Sequence, residues 1–198
     1  MNRLSPTLER MLIFTAVSAF WVLVYFGVGN VNAARHAWML EWDPIRYVPL
    51  LSPFVFVYLS AYIMPLAPYL ALRDRARTRR FAAVTFGVIA FCGVVFLLLP
   101  FTIERPSIFS DASSDRLLGW LYATDRPINL FPSMHVALAY LFAYGTGQER
   151  PRWKKFMMLW ATLIALSTLF THQHYVVDVL GGIIVAMGAW RIFLKMTK

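Results

Sequence analysis

Residues 131–147, FPSMHVALAYLFAYGTG, form an apolar run that begins with a proline, a serine and a histidine. A second apolar run, 175–190, directly follows the segment Thr171-His172-Gln173-His174 and carries Asp178 near its start. These two segments hold three of the chain's four histidines. Ionisable side chains at membrane depth are costly and usually functional. We therefore expect a site where the fold brings the two segments together.

The composition is typical of a membrane protein. Of the 198 residues, 59% are hydrophobic and 15% are charged, against an average charged content of about 25%. A span needs roughly 20 mostly apolar residues. We expect one polytopic domain over residues 1–198, an all-α integral membrane bundle of six transmembrane helices, with the first run retained as a span because it is longer than a signal h-region. The predicted spans are 11–29, 48–72, 81–101, 131–147, 156–171 and 175–190.

The distribution of charge predicts the orientation. With the N-terminus in the cytoplasm, the cytoplasmic segments hold fourteen of the nineteen Lys and Arg residues, including the basic run 73–80. An excess of cations on cytoplasmic loops is the positive-inside pattern. We therefore expect both termini in the cytoplasm of a cell inner membrane and the conspicuous histidines on the non-cytoplasmic face. The net charge of +9 then anchors the chain beside anionic lipid, and we expect no nucleic-acid partner.

His174 and Asp178 predict a reactive pair. Their separation of four residues places them on one face of a helix, one turn apart. A carboxylate that accepts a hydrogen bond from one imidazole nitrogen leaves the lone pair of the other nitrogen free to attack. This arrangement is the general signature of an activated nucleophile.

The segment 131–135 is typical of a helix start, with Pro132 at the first helical position. Free N–H groups at such a start bind anions. Ser133 adds a hydroxyl donor, and His135 is placed to give a proton to a leaving oxygen. Arg105, followed by a proline, is suited to holding two phosphate oxygens bidentately. Together these groups predict a site for a phosphate-like anion that needs neither a metal nor another cofactor.

Two other classes remain open. His172, His174, Asp178 and His135 include metal-ligand types, although side chains two residues apart on a regular helix point about 160° apart. A small transporter would use the same groups for a proton or an anion. No internal repeat relates residues 1–100 to 101–198, and the ionisable groups cluster at one mouth, which argues against common transporter folds.

The chain resembles the type 2 phosphatidic acid phosphatase and haloperoxidase superfamily. That superfamily carries, in order, a Lys with an Arg-Pro pair, a Pro-Ser-x-His segment, and a Ser-Arg pair with a downstream His-x-x-x-Asp. The matching residues here are Arg105-Pro106, Pro132-Ser133-Met134-His135 and His174-Tyr175-Val176-Val177-Asp178. Six spans with the site on the outer face also fit this resemblance.

The chain departs from the superfamily at two cations. Leu98 stands at the Lys position, and the Ser-Arg pair falls on Ser167-Thr168. Arg126, six residues before Pro132, is a candidate replacement. The local sequences look more like the branch with fungal inositol phosphorylceramide synthase and animal sphingomyelin synthases, which move a phospho-headgroup between lipids. A phosphomonoester carries about −1.5 to −2 charge near neutrality, so fewer fixed cations favour a singly charged diester.

The resemblance implies roles for these residues. His174 is the expected nucleophile, Asp178 its orienting residue and His135 the general acid and base. The expected phosphate-binding residues are Arg105, Ser133, Arg126 and Ser167. The expected substrate is a membrane phospholipid or lipid-linked phosphate, and the acceptor is a lipid hydroxyl or water. Headgroup transfer is slightly favoured, with hydrolysis of phosphatidic acid or a polyprenyl phosphate as the alternative.

Overall fold

The structure, a computed structural model, describes residues 5–108 and 112–198. Arg3, one of the fourteen cations assigned above to the cytoplasmic segments, lies outside these ranges. All regular structure in the described residues is helical, apart from one isolated bridge between Trp38 and Phe101. The α-helices are α1 (Pro6–Ala33), α2 (Phe54–Leu59), α3 (Leu66–Ala71), α4 (Arg75–Leu98), α5 (Ser113–Thr124), α6 (Met134–Glu149), α7 (Lys154–Phe170) and α8 (Val176–Met196), and the short 3₁₀ helices are Pro44–Tyr47, Ser60–Tyr62 and Pro151–Trp153.

Among the described residues, three helices are long and apolar enough to cross a membrane. They are α1 with 28 residues, α4 with 24 and α8 with 21, and they coincide with the first, third and sixth predicted runs. The helices of the fourth and fifth runs, α6 and α7, have 16 and 17 residues, short of the roughly 20 that a perpendicular span needs. The prediction of an integral membrane protein with apolar helices is confirmed, and the count of six spans stays a prediction.

The second predicted run, 48–72, does not form one continuous helix, so that expectation is wrong. The segment is divided into α2, the 3₁₀ helix Ser60–Tyr62 and α3. Pro53 and Pro65 stand immediately before α2 and α3. A proline lacks the backbone N–H and clashes with the carbonyl four residues earlier, so a helix cannot continue through Pro65.

Helix α6 occupies the centre of the bundle. It packs against α3, α4, α7 and α8, and 13 of its 16 residues are buried. A helix that is apolar around its whole circumference belongs in such a position. The start of α6, with His135, therefore lies among the other helices rather than on the surface.

Two glycines let α8 approach the start of α6. A Cβ added to Gly182 would lie 2.6 Å from the carbonyl oxygen of Ser133, and one added to Gly181 would lie 2.7 Å from the ring of Phe131. The N–H of Ser133 donates a 2.9 Å hydrogen bond to the carbonyl of Asp178. The two segments singled out in the sequence are thus joined directly through the main chain.

Ion pairs join the basic segment 73–80 to neighbouring helices. Glu9 at the start of α1 lies 3.3 Å from Arg75 and 2.5 Å from Arg79, and Glu149 at the end of α6 lies 2.9 Å from Arg77. Glu149 and His135 occupy opposite ends of the same helix. The basic cluster and the conspicuous histidines therefore lie at opposite ends of the bundle.

Candidate active site

His174 and Asp178 form a buried pair. Nδ1 of His174 lies 3.3 Å from Oδ2 of Asp178, which also accepts a 2.8 Å hydrogen bond from the N–H of Tyr175. Asp178 is 0% exposed, and its Oδ1 has no partner among the described residues. Because an ionised carboxylate only accepts hydrogen bonds, Nδ1 is the protonated nitrogen and Nε2 keeps its lone pair.

The pair is built by a helix cap rather than by a helical turn. Helix α8 begins at Val176 with Tyr175 as its N-cap, and Asp178 accepts from the N–H of Tyr175 in a capping box. His174 therefore precedes the helix. The predicted contact is present, but the predicted reason, a shared helical face, is wrong.

Ser133 is the N-cap of α6. Its hydroxyl oxygen accepts a 3.4 Å hydrogen bond from the N–H of Val136, and the helix begins at Met134. The expectation that Pro132 takes the first helical position is therefore wrong: Pro132 precedes the N-cap, and the serine side chain satisfies the free N–H of Val136 in the first turn. Ser133 is fully buried, directly beside His135.

His135 and His174, the two histidines expected to be catalytic, lie close together in the bundle. The ring centroids of His135 and His174 are 6.0 Å apart. Four aromatic rings also pack around His135, with centroid distances from 5.0 to 6.4 Å: Tyr58, Tyr62, Tyr25 and Trp21. An imidazolium formed here would face aromatic rings, which attract cations.

Arg105 reaches the site and is already held there. Its Nη1 donates to the carbonyls of Asp125 (2.5 Å) and Tyr122 (3.3 Å), and its Nη2 donates to Oε1 of Gln173. Its guanidinium carbon lies 4.6 Å from the centroid of the Tyr122 ring. Burial raises the pKa of Tyr122 to about 12, against an opposing effect of Arg105, so its phenol stays neutral beneath the cation.

Besides Oδ1 of Asp178, three buried polar atoms near the segments 131–135 and 171–178 lack partners among the residues that the structure describes. They are Nε of Arg105, Nε2 of Gln173 and Nδ1 of His135. Buried polar groups are almost always hydrogen-bonded. The free N–H groups of the Arg105 guanidinium and the Gln173 amide, close to His174, are therefore suited to an anionic ligand. Sequence reasoning missed Gln173, although its position between His172 and His174 was visible.

The structure does not bring Arg126 or Ser167 into the same arrangement. Arg126 is exposed and lines a cavity of about 210 Å³ with Asn30 and Thr124. Neither His135 nor His174 lines this cavity. The hydroxyl of Ser167 donates a 2.6 Å hydrogen bond to the carbonyl of Ile164. Its single proton is thus committed within α7.

The His172 side chain points away from the pair of His174 and Asp178. Its Nε2 lies 3.0 Å from the carbonyl oxygen of Val48, and its backbone has a positive φ of 47°. Burial lowers its pKa, partly offset by that carbonyl. It lines an outer groove of about 560 Å³ with Arg105 and Asp43. Within the described ranges, no group of three or more His, Cys, Asp or Glu residues is arranged to hold a metal ion.

Two buried carboxylates escaped the sequence reasoning. Asp43 accepts hydrogen bonds from the N–H groups of Val176 (3.0 Å) and Val177 (3.1 Å), which places its charge at the positive end of α8. Asp125 accepts from the hydroxyls of Tyr25 (2.8 Å) and Tyr58 (3.4 Å). These partners lie at least 67 residues from the carboxylates in sequence, so no local motif indicated the contacts.

An apolar cavity of about 210 Å³ opens beside His135. Its walls come from α1, α4, α6 and the irregular segment between α2 and α3. His135 is its one ionisable imidazole, and the other lining residues are Val17, Ser18, Trp21, Val22, Ala61, Tyr62, Pro65, Ile89, Leu138, Ala139 and Phe142. Such a cavity suits a hydrocarbon chain beside the His135 imidazole.

The fold and the site together define an integral membrane protein with apolar spanning helices and a histidine-centred site. The chain belongs to the PAP2 superfamily, whose family model matches residues 33–192. That range includes the site described above, and membership places the chain among enzymes that act on phosphoesters, with lipid phosphates as their general substrates. A search of curated proteins gave no match.

Proposed function

We propose that the protein is a metal-independent phosphotransfer enzyme that acts on lipid phosphoesters through a phosphohistidine at His174. The observation that carries this proposal is the buried pair of His174 and Asp178, with His135 at a ring-centroid distance of 6.0 Å. One histidine is free to attack phosphorus, and the other is close enough to serve the leaving oxygen.

The proposed reaction has two halves. In the first, Nε2 of His174 forms a bond to phosphorus as the bond from phosphorus to the lipid oxygen breaks, and His135 gives its proton to that oxygen. In the second, His135 takes a proton from an acceptor hydroxyl, whose oxygen attacks phosphorus and releases His174. The reversal of acid and base roles follows from microscopic reversibility.

The phosphoryl oxygens would be held mainly by neutral donors and one cation. Arg105 and Gln173 each present an unpartnered N–H, and Ser133 opens the α6 N-terminus, whose dipole favours an anion. Leu98 is 68% exposed, and Thr168 donates its hydroxyl proton to Ala165. With Arg126 and Ser167 directed elsewhere, a single nearby cation favours a singly charged diester and hence headgroup transfer.

The apolar cavity supports a lipid as the leaving group. Because His135 lines this cavity, the oxygen that it protonates would carry the hydrocarbon chain. The proposed topology has six crossings, with the segment 48–72 crossing in pieces and both termini in the cytoplasm of a cell inner membrane. The site then faces the non-cytoplasmic side, and the ion pairs of the 73–80 segment lie at the opposite end of the bundle.

The test uses purified full-length protein in lipid nanodiscs with radiolabelled phospholipid, with and without diacylglycerol and ceramide. A new phospholipid that depends on the acceptor is expected. Free phosphate from phosphatidic acid or a polyprenyl phosphate, independent of acceptor, would make the protein a lipid phosphatase instead. Label that stays on wild-type protein after acid-free denaturation, and is absent from His174→Ala, is expected for a phosphohistidine.

Two controls separate this proposal from the other classes. Activity should survive EDTA, and complete loss that one divalent metal restores would overturn metal independence. Proton-coupled uptake into vesicles without any product would identify a transporter. Wild-type turnover by His174→Ala, with normal membrane insertion, would overturn the mechanism.

A further inference from the structure

A chain of hydrogen-bonding groups links Asp125 to His135 through one tyrosine hydroxyl. The hydroxyl oxygen of Tyr58 lies 3.4 Å from Oδ2 of Asp125 and 3.3 Å from Nε2 of His135. Tyr58 is 1% exposed and Asp125 is 9% exposed. The three groups come from α2, from the end of α5 and from the start of α6, so only the assembled bundle brings them together.

The direction of these hydrogen bonds follows from counting protons. A tyrosine hydroxyl has one proton, and an ionised carboxylate can only accept. The proton of Tyr58 therefore goes to Asp125, and the tyrosine oxygen is left to accept from Nε2–H of His135. The neutral imidazole then carries its proton on Nε2, and Nδ1, which has no partner among the described residues, holds the lone pair.

We infer that Asp125 is a positioning residue for His135, acting through Tyr58 to hold the Nε2–H tautomer so that Nδ1 carries the reaction proton. This inference rests on the acid and base role proposed for His135. The nitrogen that reacts is set by the hydrogen bond that the other nitrogen makes. The resting imidazole is neutral, so Nδ1 takes up a proton from water before the first half, gives that proton to the leaving oxygen and regains one from the acceptor. The Nε2–H group keeps its hydrogen bond to the Tyr58 oxygen throughout, so no net proton moves along the chain of groups.

The charges around Asp125 make this arrangement sensitive to acid. Burial raises the pKa of Asp125, while the hydrogen bonds from Tyr25 and Tyr58 and the charges of Arg105 and His174 lower it. Tyr62 faces the same carboxylate. A protonated Asp125 no longer requires a hydrogen bond from the Tyr58 hydroxyl. Tyr58 then donates to Nε2 of His135, and the imidazole shifts to the Nδ1–H tautomer, which cannot accept the acceptor's proton.

The direct test is ¹⁵N NMR of histidine-labelled protein in nanodiscs, with the His135 resonances assigned by their loss in His135→Gln. Wild-type protein should show Nε2–H and an unprotonated Nδ1. Tyr58→Phe and Asp125→Asn should change the tautomer. Tyr140→Phe is the matched control, because it removes a buried hydroxyl from α6 that contacts Thr162 at 3.0 Å instead of His135.

The pH dependence of kcat provides a second readout, which would not change if Asp125 had only a structural role. Tyr25→Phe removes a hydrogen bond that lowers the pKa of Asp125, so the acid limb of the kcat profile should move to higher pH. In Asp125→Asn the part of that limb due to Asp125 should disappear, and kcat should fall by about 10- to 100-fold because the tautomer is no longer fixed. KM should change little in both variants.

Several outcomes would overturn the inference. An Nδ1–H tautomer of His135 in wild-type protein would overturn it. This measurement needs no variant, so it remains available if the Tyr58 or Asp125 substitutions prevent folding. An unchanged tautomer and pH profile in Tyr58→Phe would overturn the inference as well. Neither result touches the phosphohistidine on His174, which is measured separately, so failure of this inference and failure of the proposed function are distinguishable.

Discussion

One carboxylate oxygen of Asp178 serves two neighbours: it lies 3.3 Å from Nδ1 of His174 and accepts a 2.8 Å hydrogen bond from the N–H of Tyr175. The second neighbour fixes the carboxylate in place, since a cap is part of the backbone structure of α8. The cap at the start of α8 therefore determines the orientation of His174. This dependence makes it possible to remove the charge of Asp178 without moving it.

Asp178→Asn should separate charge from geometry. The N–H of Tyr175 requires an acceptor, so the amide oxygen should take the Oδ2 position and the cap should survive. We expect kcat to fall by about 10²- to 10³-fold, because a charge that stabilises the developing imidazolium is lost. Steady-state kinetics and thermal unfolding in detergent check this expectation. Asp178→Ala should additionally lose about 1 kcal/mol of stability with the cap; a wild-type kcat in Asp178→Asn would contradict the role of the charge.

Gly182→Ala should damage the site through the backbone. The new Cβ would lie 2.6 Å from the carbonyl oxygen of Ser133 and 2.9 Å from Cβ of Val136, so α6 and α8 must separate. We expect a loss of about 1–3 kcal/mol, as for other overpacked positions, together with a lower kcat. The measurements are the thermal midpoint in detergent and the turnover of the folded fraction.

Gly188 is the matched control on the same helix, since an added Cβ there meets nothing within 4 Å. Gly188→Ala should leave turnover unchanged and stabilise α8 by up to about 1 kcal/mol, the usual helical advantage of alanine over glycine. Equal effects of the two substitutions would show that close approach of α8 to Ser133 is unimportant.

Gln173→Leu should weaken binding of the phosphoryl group. The substitution removes the unpartnered amide N–H and the acceptor of the Arg105 hydrogen bond. A hydrogen bond to a charged group is worth about 1.5–3 kcal/mol, so kcat/KM should fall by roughly 10- to 100-fold. Gln173→Glu should fall further, because it retains the bond to Arg105 but repels an anion. Unchanged kcat/KM in Gln173→Leu would remove this residue from the site.

Ala139→Phe should change the preference for lipid chain length. Ala139 lies one helical turn after His135, and both line the apolar cavity. A phenyl group there would fill space expected to hold the chain, so kcat/KM for long-chain substrates should fall relative to short-chain ones by about tenfold or more. The control is Ala83→Phe, on an apolar groove between α4 and α8. Equal losses for all chain lengths would place the chain elsewhere.

The parts of the site that sequence could predict depend on short separations. Four residues join His174 to Asp178, and three join Ser133 to the N–H of Val136, so local chain geometry brings these groups together. The proximity of His135 and His174 was also predicted, because both lie at the starts of apolar runs that were expected to begin on the same side of the membrane. The resemblance to the superfamily is confirmed by the match over residues 33–192, and the branch with inositol phosphorylceramide synthase stays a prediction.

The parts that sequence could not predict depend on tertiary contacts. Tyr58 lies 77 residues from His135, and Asp43 lies 133 residues from Val176; no periodicity encodes such pairs. The break at Pro65 was readable in principle, because proline interrupts helices, but hydropathy alone obscured it. Arg126 was expected by its proximity in sequence, and its exposed side chain shows that six residues of loop are enough to direct a cation elsewhere.

The hydrogen bond from the Ser133 N–H to the Asp178 carbonyl has a consequence for how such a site changes over time. It involves no side chain, so neither partner's identity is needed to hold the two histidine segments in register. Side chains elsewhere, such as those of Leu98 and Thr168, can then depart from the superfamily pattern without breaking this bond. Single substitutions around the site can accordingly change the substrate preference while the main-chain contact between Ser133 and Asp178 persists.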